Sequence, residues 1–324
     1  MTQRKKGGTG ALELLEPGVL SLIQDRGRIG SQRFGVSRSG VMDPHAAAWA
    51  NRMLDNPVGS ALIEVTLGGL RLRAREDTWL AFTGARMALH LDGRPLSGWS
   101  RFAIRAGQTL SVGFASSGQR GYLAVRGGFL VEPKLGSVAT HARNRLGGLH
   151  GDGRPLARGD LLAHPPGGDA FRLGARAPWK MIPDYREVPL LRVLPGGDHR
   201  HFPAAQIERF FDQRWQVSAS SDRMGIRLCD EQPLREVPSR KMSLGICPGA
   251  IQVPPNGEPI VLMSDCQTMG GYPLFGWLHP LDLGRLSQVP ARQEVRFAPI
   301  DVETMQAELA RFNDFFDHPP PQPY

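Results

Sequence analysis

Hydrophobic residues come in short runs along this chain, and glycine or proline closes nearly every run. Leu12 and Leu14 alternate with polar neighbours, and Val19 to Ile23 follows after Pro17-Gly18, which predicts two short strands. One convincing helix comes next. Asp43 is placed to cap it, Pro44 takes its first position, Ala46 to Leu54 are good helix formers, and Asn56-Pro57 stops it. Strands then dominate: Ala61 to Leu67, Thr78 to Thr83, Met87 to Leu91, Thr109 to Phe114 and Gly121 to Val125. Turn signals bound them at Gly68-Gly69, Asp92-Gly93, Ser117-Gly118 and Gly127-Gly128. Residues 140–160 read as a polar, glycine-rich loop, with a strand at Leu161 to Ala163.

Pro165 to Pro189 is the best linker, since Pro165-Pro166-Gly167-Gly168, Pro178, Pro183 and Pro189 fall within it. Beyond it, strands are expected at Leu190 to Leu194, Ile226 to Leu228, Ala250 to Val253, Ile260 to Ser264 and Glu294 to Phe297. Pro203 to Gln213 predicts a helix with Ile207, Phe210 and Phe211 on one face, and Val302 to Phe316 another, with Asp301 as its cap. The expected organisation is a disordered tail (1–10), a β domain (11–178), a second β domain (188–317) and a second tail (318–324). No β-α-β alternation appears, so a mainly β architecture of two barrel-like domains with a few peripheral helices is favoured over a doubly wound sheet.

Composition narrows the function classes. The 39 glycines and 27 prolines follow no period, which removes collagen and favours tight turns. No apolar run is long enough for a membrane helix, and the polar start has no apolar signal segment, so a cytoplasmic protein is expected. The formal charge is +8, and all but five of the 39 basic residues are arginine. They are spread through every segment with no nucleic-acid motif, so no nucleic-acid partner is expected; a few arginines binding a small anion remains an open reading. Three cysteines, Cys229, Cys247 and Cys266, form no Cys-x-x-Cys pair, which suits a reducing compartment. The nine histidines show no metal-like spacing, and no metal site is expected. Phosphate-binding glycine loops and the nucleophile elbow of hydrolases are missing.

Polar residues concentrate among glycines in five places. Gln24-Asp25-Arg26-Gly27-Arg28 runs on to Ser39-Gly40-Val41-Met42-Asp43: Asp25 is a candidate base or arginine partner and Arg28 a candidate anion clamp, unless this is a turn-rich loop with a surface ion pair. Thr83-Gly84-Ala85 reads as a strand end with a turn. Gly127-Gly128 through Ser137 and Thr140 to Gly147-Gly148 is either a ligand-approaching loop or a mobile one. In Ser221-Asp222-Arg223-Met224-Gly225-Ile226-Arg227-Leu228, an acid lies between arginines, which suits anchoring. In the fifth, a strand delivers Asp265, Gln267 and Thr268 can hydrogen-bond a ligand, and Gly270-Gly271 permits close backbone approach. Cys266 is a weak nucleophile candidate beside a carboxylate.

These segments, in this order, resemble the biotin-dependent carboxyltransferase, or allophanate hydrolase subunit 2, family. The resemblance runs from about Leu14 to Phe297. It is carried by Gln24-Asp25-x-Gly27-Arg28 with Ser39-Gly40-x-Met42-Asp43, by Ser221-Asp222-Arg223-Met224-Gly225 with Arg227-Leu228, and by Gly249-Ala250-Ile251-Gln252-Val253-Pro254 with Asp265-x-Gln267-Thr268-x-Gly270-Gly271-Tyr272-Pro273. Departures fall at Met269, where the family pattern has a small polar residue, at Pro290-Ala291, where it has Pro-Gly, and near Arg38, where it usually has a proline.

The resemblance implies two cyclophilin-like β-barrels and a role in an ATP-dependent 5-oxoprolinase complex that opens 5-oxoproline to glutamate. This chain would be the C component of that complex. Its partners would be homologues of the B and A components, with the active site shared with the B component. ATP and Mg²⁺ would act on the complex. In this reading Asp25 and Asp265 orient water or hold Mg²⁺, and Gln267 and Thr268 position the amide. Arg28, Arg223 and Arg227 serve as cations, with Ser39, Met42, Asp43, Gln252, Gly270, Gly271 and Tyr272 as further substrate contacts. Two alternatives follow from the same resemblance: transfer of a carboxyl group from carboxybiotin, held on a partner, to urea or another amide, and regulation of a kinase-inhibitor protein.

Overall fold

The computed structural model describes residues 9–166, 171 and 173–317; the two tails expected at 1–10 and 318–324 fall outside them except for residues 9 and 10. Two compact units emerge. Unit 1 holds the chain up to Arg26 and Ala46–Pro183, and unit 2 holds Gly27–His45 and Asp184–His318. The linear division expected from composition assigns Gly27–His45 to the first domain; the structure folds it into the second unit.

Alternation builds unit 1. In the strand Gly10–Pro17, Leu12 and Leu14 are fully buried while their neighbours are half-exposed. The strand pairs antiparallel with Leu70–Ala74 on one side and Leu161–His164 on the other. Two long strands, Thr78–Leu91 and Thr109–Val125, pair with each other and form the centre of a ten-stranded sheet. The sequence reading breaks each in two, at Gly84 and at Ser117-Gly118. The structure keeps both strands continuous and absorbs these residues as bulges, with register shifts between Gly84 and Leu89. A bulge bends a strand without ending its ladder, so a turn-like dipeptide need not close a hairpin. Ile63, Leu80, Phe82, Leu110 and Leu123 fill the core beneath.

Unit 2 closes. Its strands run in spatial order Leu190–Pro195, Leu274–Leu278, Ala250–Gln252, Ile260–Leu262, Gly225–Cys229, Trp215–Val217 and Glu294–Pro299, and the last pairs back with the first as a seven-stranded barrel. Phe210 plugs this barrel, fully buried, with ring centroids 4.1 Å from Phe275 and 4.8 Å from Phe297. It sits on helix α2 (Ala204–Asp212), as its spacing with Ile207 and Phe211 predicts. The other helices are α1 (Pro44–Arg52), α3 (Pro280–Ser287) and α4 (Val302–Asp317). Asp301 caps α4 as expected: its carboxylate accepts from the Thr304 amide at 2.7 Å and the Thr304 hydroxyl at 2.9 Å. The mainly β reading with peripheral helices therefore holds. Among the described residues no helix is long and apolar enough to cross a membrane.

Helix α3, which the periodicity misses, carries a pH-sensitive start. His279 is fully buried, and its Nδ1 accepts from the Leu281 amide at 3.1 Å as the N-cap. Its Nε2 lies 3.5 Å from Glu308 on α4, and Glu308 and Asp282 are both held by Arg192. Burial, then the Arg192 charge, hold the imidazole below its ordinary pKa of 6.5, against the pull of Asp282 and Glu308. The folded state thus favours neutral His279, and protonation removes the cap acceptor. The unfolded chain binds more protons, so this contribution is complete above about pH 6.5 and is lost as pH falls through the lower folded value. The expected result is a stability slope between pH 7 and 5 in urea unfolding that His279→Asn, a cap that does not titrate, makes shallower. An unchanged slope would refute the assignment.

Candidate functional site

In unit 1 the strand Leu20–Gln24 delivers Asp25 to its end. One Asp25 oxygen accepts from Ser137 Oγ at 2.6 Å and the other from the Val138 amide at 2.9 Å. Beside it, Gln24 Nε2 donates to Thr140 O, and Thr140 Oγ1 donates to Ile23 O. These bonds fasten the glycine-rich loop to the strand. Ser137 and Thr140, candidates for ligand contact, use their hydroxyls for this internal bonding.

In unit 2 the segment Gly27–His45 folds back on itself. Gly27 has φ +84°, the Arg28 amide donates to Arg38 O at 2.7 Å, and Ser39 and Gly40 also take positive φ. This presents Ser39 to the loop that leaves the strand Ile260–Leu262: the Ser39 amide donates to Ser264 O at 2.8 Å, and Ser39 Oγ to Asp265 Oδ1 at 2.8 Å. Arg223 completes the arrangement. Its Nε and Nη2 fork onto both Asp265 oxygens at 2.8 and 2.9 Å, and Nη2 also donates to Gly40 O at 2.7 Å. The Asp265 amide returns a bond to Arg223 O at 2.9 Å, and Ser264 Oγ reaches Val41 O. Both charged side chains are about nine-tenths buried. A fork of this kind fixes orientation as well as charge.

Asp265 and Arg223 therefore hold each other. Each oxygen of Asp25 and Asp265 accepts a hydrogen bond from within the chain, and Arg223 also sets its charge against Asp265, so both carboxylates are anchored; that they orient water or hold Mg²⁺ stays a proposal for the assembled complex. Among the described residues no group of three or more His, Cys, Asp or Glu is placed to hold a metal ion. No chemical step is assigned to a metal on this chain.

The remaining candidates divide into buried and presented residues. Met42 is a core residue of unit 2, and Asp43 is buried and accepts from Tyr185 Oη at 3.0 Å and Gln288 Nε2 at 2.9 Å; neither is open to a substrate. Burial beside the Asp43 charge pushes the Tyr185 phenol well above its ordinary pKa, so it stays a donor. Arg28 is buried within the Gly27–His45 segment. Arg227 is exposed on its strand and takes no part in the Asp265 bonds. Gln252 is buried and donates to Tyr272 O, and Gly270 lies so close to it that a Cβ there would fall 2.4 Å from Nε2. Cys266 is buried, and burial, with Cys247 and Asp265 beside it, pushes its thiol up to about 12, which disfavours it as a nucleophile.

Presented to solvent are Gln267, Gly271, Tyr272 and, half-buried, Thr268. The sequence reading does not find Gly40 O, Ser264 or Gln288 as partners of these groups; the run of positive φ residues at Gly27, Ser39 and Gly40 is the structural feature that makes those bonds possible. The arrangement is a rigid buried base, Ser39-Arg223-Asp265, from which a short loop holds out one carboxamide, one hydroxyl and one phenol. Such groups match the amide of a small substrate, which offers one acceptor and one or two donors.

Residues 34–299 match the family profile described as carboxyltransferase domain, subdomain A and B. The chain is 36% identical to the C component of 5-oxoprolinase from Escherichia coli (strain K12), over 90% of this chain and 92% of that protein. It is 31% identical to urea amidolyase of Saccharomyces cerevisiae, over 92% of this chain but 17% of that protein. Among solved structures, the K. lactis urea amidolyase superposes with a TM-score of 0.86 at 28% identity, over 95% of this chain and 20% of that one.

Proposed function

Because the chain belongs to the carboxyltransferase domain family, subdomain A and B, we propose that it is the C component of a cytoplasmic, ATP-dependent 5-oxoprolinase complex. The observation that carries this reading is the match to the 5-oxoprolinase C component, which extends over nine-tenths of both proteins. The name of that relative makes it one subunit among several; in this reading the others are homologues of the B and A components, and the active site is shared with the B component. The assembled complex would bind ATP and Mg²⁺, which would supply phosphoryl transfer to the lactam oxygen, with ADP as the leaving group.

The part of this chain is recognition and positioning. Gln267 pairs its carboxamide with the lactam amide, Thr268 and Tyr272 supply further hydrogen bonds, and Arg223-Asp265 fixes the loop that carries them. Holding an amide in one orientation converts an encounter into an intramolecular step, which is where such a loop lowers a barrier.

The test is glutamate release from 5-oxoproline with ATP and Mg²⁺, first with this chain alone and then with purified homologues of the B and A components. Turnover is expected only in the full mixture. Gln267→Ala should raise KM and lower kcat/KM by about tenfold, the loss of one or two hydrogen bonds to bound substrate. A verified, folded complex without turnover would overturn the proposal. Carboxyl transfer from a carboxybiotin-bearing partner to an amide would then lead, supported by the family description and by the similarity to urea amidolyase.

A further inference from the structure

The loop that presents Gln267 continues into a small ribbon outside the barrel's strand ladder, packed on the barrel through Gly270 and Ile246. Leu244–Gly245 pairs antiparallel with Met269–Gly270, and these two strands form a sheet of their own. Two strands alone are marginal in water, so such a ribbon needs a surface to lie on, and the barrel supplies one. The ribbon is also apolar where it should be polar: Met242 is 71% exposed, Leu244 43%, Met269 54% and Tyr272 45%. The short helical turn Gln32–Phe34 lies alongside, with Gln32 Nε2 reaching Ile246 O at 3.5 Å. It adds Phe34, 73% exposed, with the Arg33 guanidinium 4.7 Å above its ring.

The exposed charge on the two segments of this surface is basic, while Arg240 is paired with Asp198 at 3.1 Å and Arg28 is buried. Between Gly27 and Met42 there are three arginines and no acidic residue, and between Val237 and Gly257 there are Arg240 and Lys241 and again no acidic residue. Arg33, Arg38 and Lys241 are exposed. Arg38 is near enough for its charge to be felt by Cys247, two residues past the ribbon's first strand. An apolar centre with an arginine-aromatic pair and a polar rim is the anatomy of a protein-binding surface. An open strand edge adds backbone groups for a partner to pair with.

We infer that the ribbon Leu244–Gly245/Met269–Gly270, with Phe34 and its basic rim, is the surface on which the B-component homologue docks, through an apolar face edged by Asp and Glu. The inference rests on the complex proposed above. It goes further by placing the contact two residues from Gln267, so that docking orders the loop that holds the substrate. Activity then depends on assembly through this ribbon.

The experiment is calorimetric titration of the intact chain with the purified B-component homologue from the same organism. Met242→Glu/Leu244→Glu should weaken binding by at least about tenfold, as expected when an apolar anchor is replaced by a charge. Lys241→Glu, a change at an exposed position, should weaken it more at low salt than at high salt. Phe114→Glu, on the exposed surface of unit 1, is the control and should leave binding unchanged. If the wild-type chain does not bind the B-component homologue at all, the proposed complex falls. If it binds and both ribbon variants, with unaltered thermal unfolding, bind within about twofold of it, the complex stands and the ribbon assignment is overturned. If light scattering shows the wild-type chain alone as a dimer that Met242→Glu/Leu244→Glu dissociates, the occupant is a second copy of this chain and the B-component assignment is wrong.

Discussion

Arg223→Ala should destabilise unit 2 by about 3–5 kcal/mol, the range for breaking one side of a buried ion pair. The cost arises from what remains. Asp265 keeps its bond from Ser39 but loses both arms of the guanidinium, and a carboxylate about nine-tenths buried is left without that counter-charge. Gly40 O also loses its donor. Asp265→Ala should cost a similar amount for the converse reason, since a buried guanidinium then loses the carboxylate it forks onto. The double variant should cost less than the sum of the two, because neither charge is left without the other. Arg223→Lys keeps the charge but cannot fork, and should fall between wild type and Arg223→Ala. Urea unfolding of wild type and these variants makes the comparison. Additive single losses below about 1 kcal/mol would mean that the pair behaves as a solvent-exposed one, and that it gives the loop no rigid base.

The sequence and the structure agree where local chemistry decides. Leu12 and Leu14 alternate into the core, Asp301 caps α4, and Phe210 faces the barrel from α2 because nearest-neighbour spacing carries those signals. They part where a local signal has two structural solutions. Gly84 and Ser117-Gly118 look like turns and serve as bulges, since only the pairing partner determines which. Helix α3 escapes the periodicity because Gly284 interrupts its apolar pattern. The structure gives the reason for that glycine: a Cβ there would fall 2.6 Å from Asp43 Oδ1. The site is legible as parts only. Ser39, Arg223 and Asp265 stand out singly, but the bond between Ser39 and Asp265 joins residues 226 positions apart, and no spacing rule reaches that far. Met42 shares a motif with Ser39 and so reads as a contact residue; as an apolar side chain next to a tight turn, it goes to the core instead.

Gly27→Ala should impair the site more than its distance in sequence from Asp265 suggests. Gly27 has φ +84°, a conformation that costs an L-residue about 1–2 kcal/mol. Its environment adds a second cost: a Cβ would lie 2.5 Å from Ser39 O and 2.7 Å from Arg38 O, both backbone atoms that cannot rotate aside. Overpacking of this kind typically costs about 1–3 kcal/mol more, and here the strain has one outlet. The 38–40 turn must back away, taking Ser39 Oγ from Asp265 and Gly40 O from Arg223. Gly30 provides the control. It has the same φ of +84°, but a Cβ there would meet nothing within 4 Å. Gly30→Ala should therefore show the conformational cost alone, and the difference between the two variants isolates the steric push on Ser39. In the assembled complex, Gly27→Ala should lower glutamate release while Gly30→Ala leaves it near wild type. Equal losses of stability in the two variants would show that the turn yields without moving Ser39, and the Gly27–His45 segment would then be a surface loop rather than the support of Asp265.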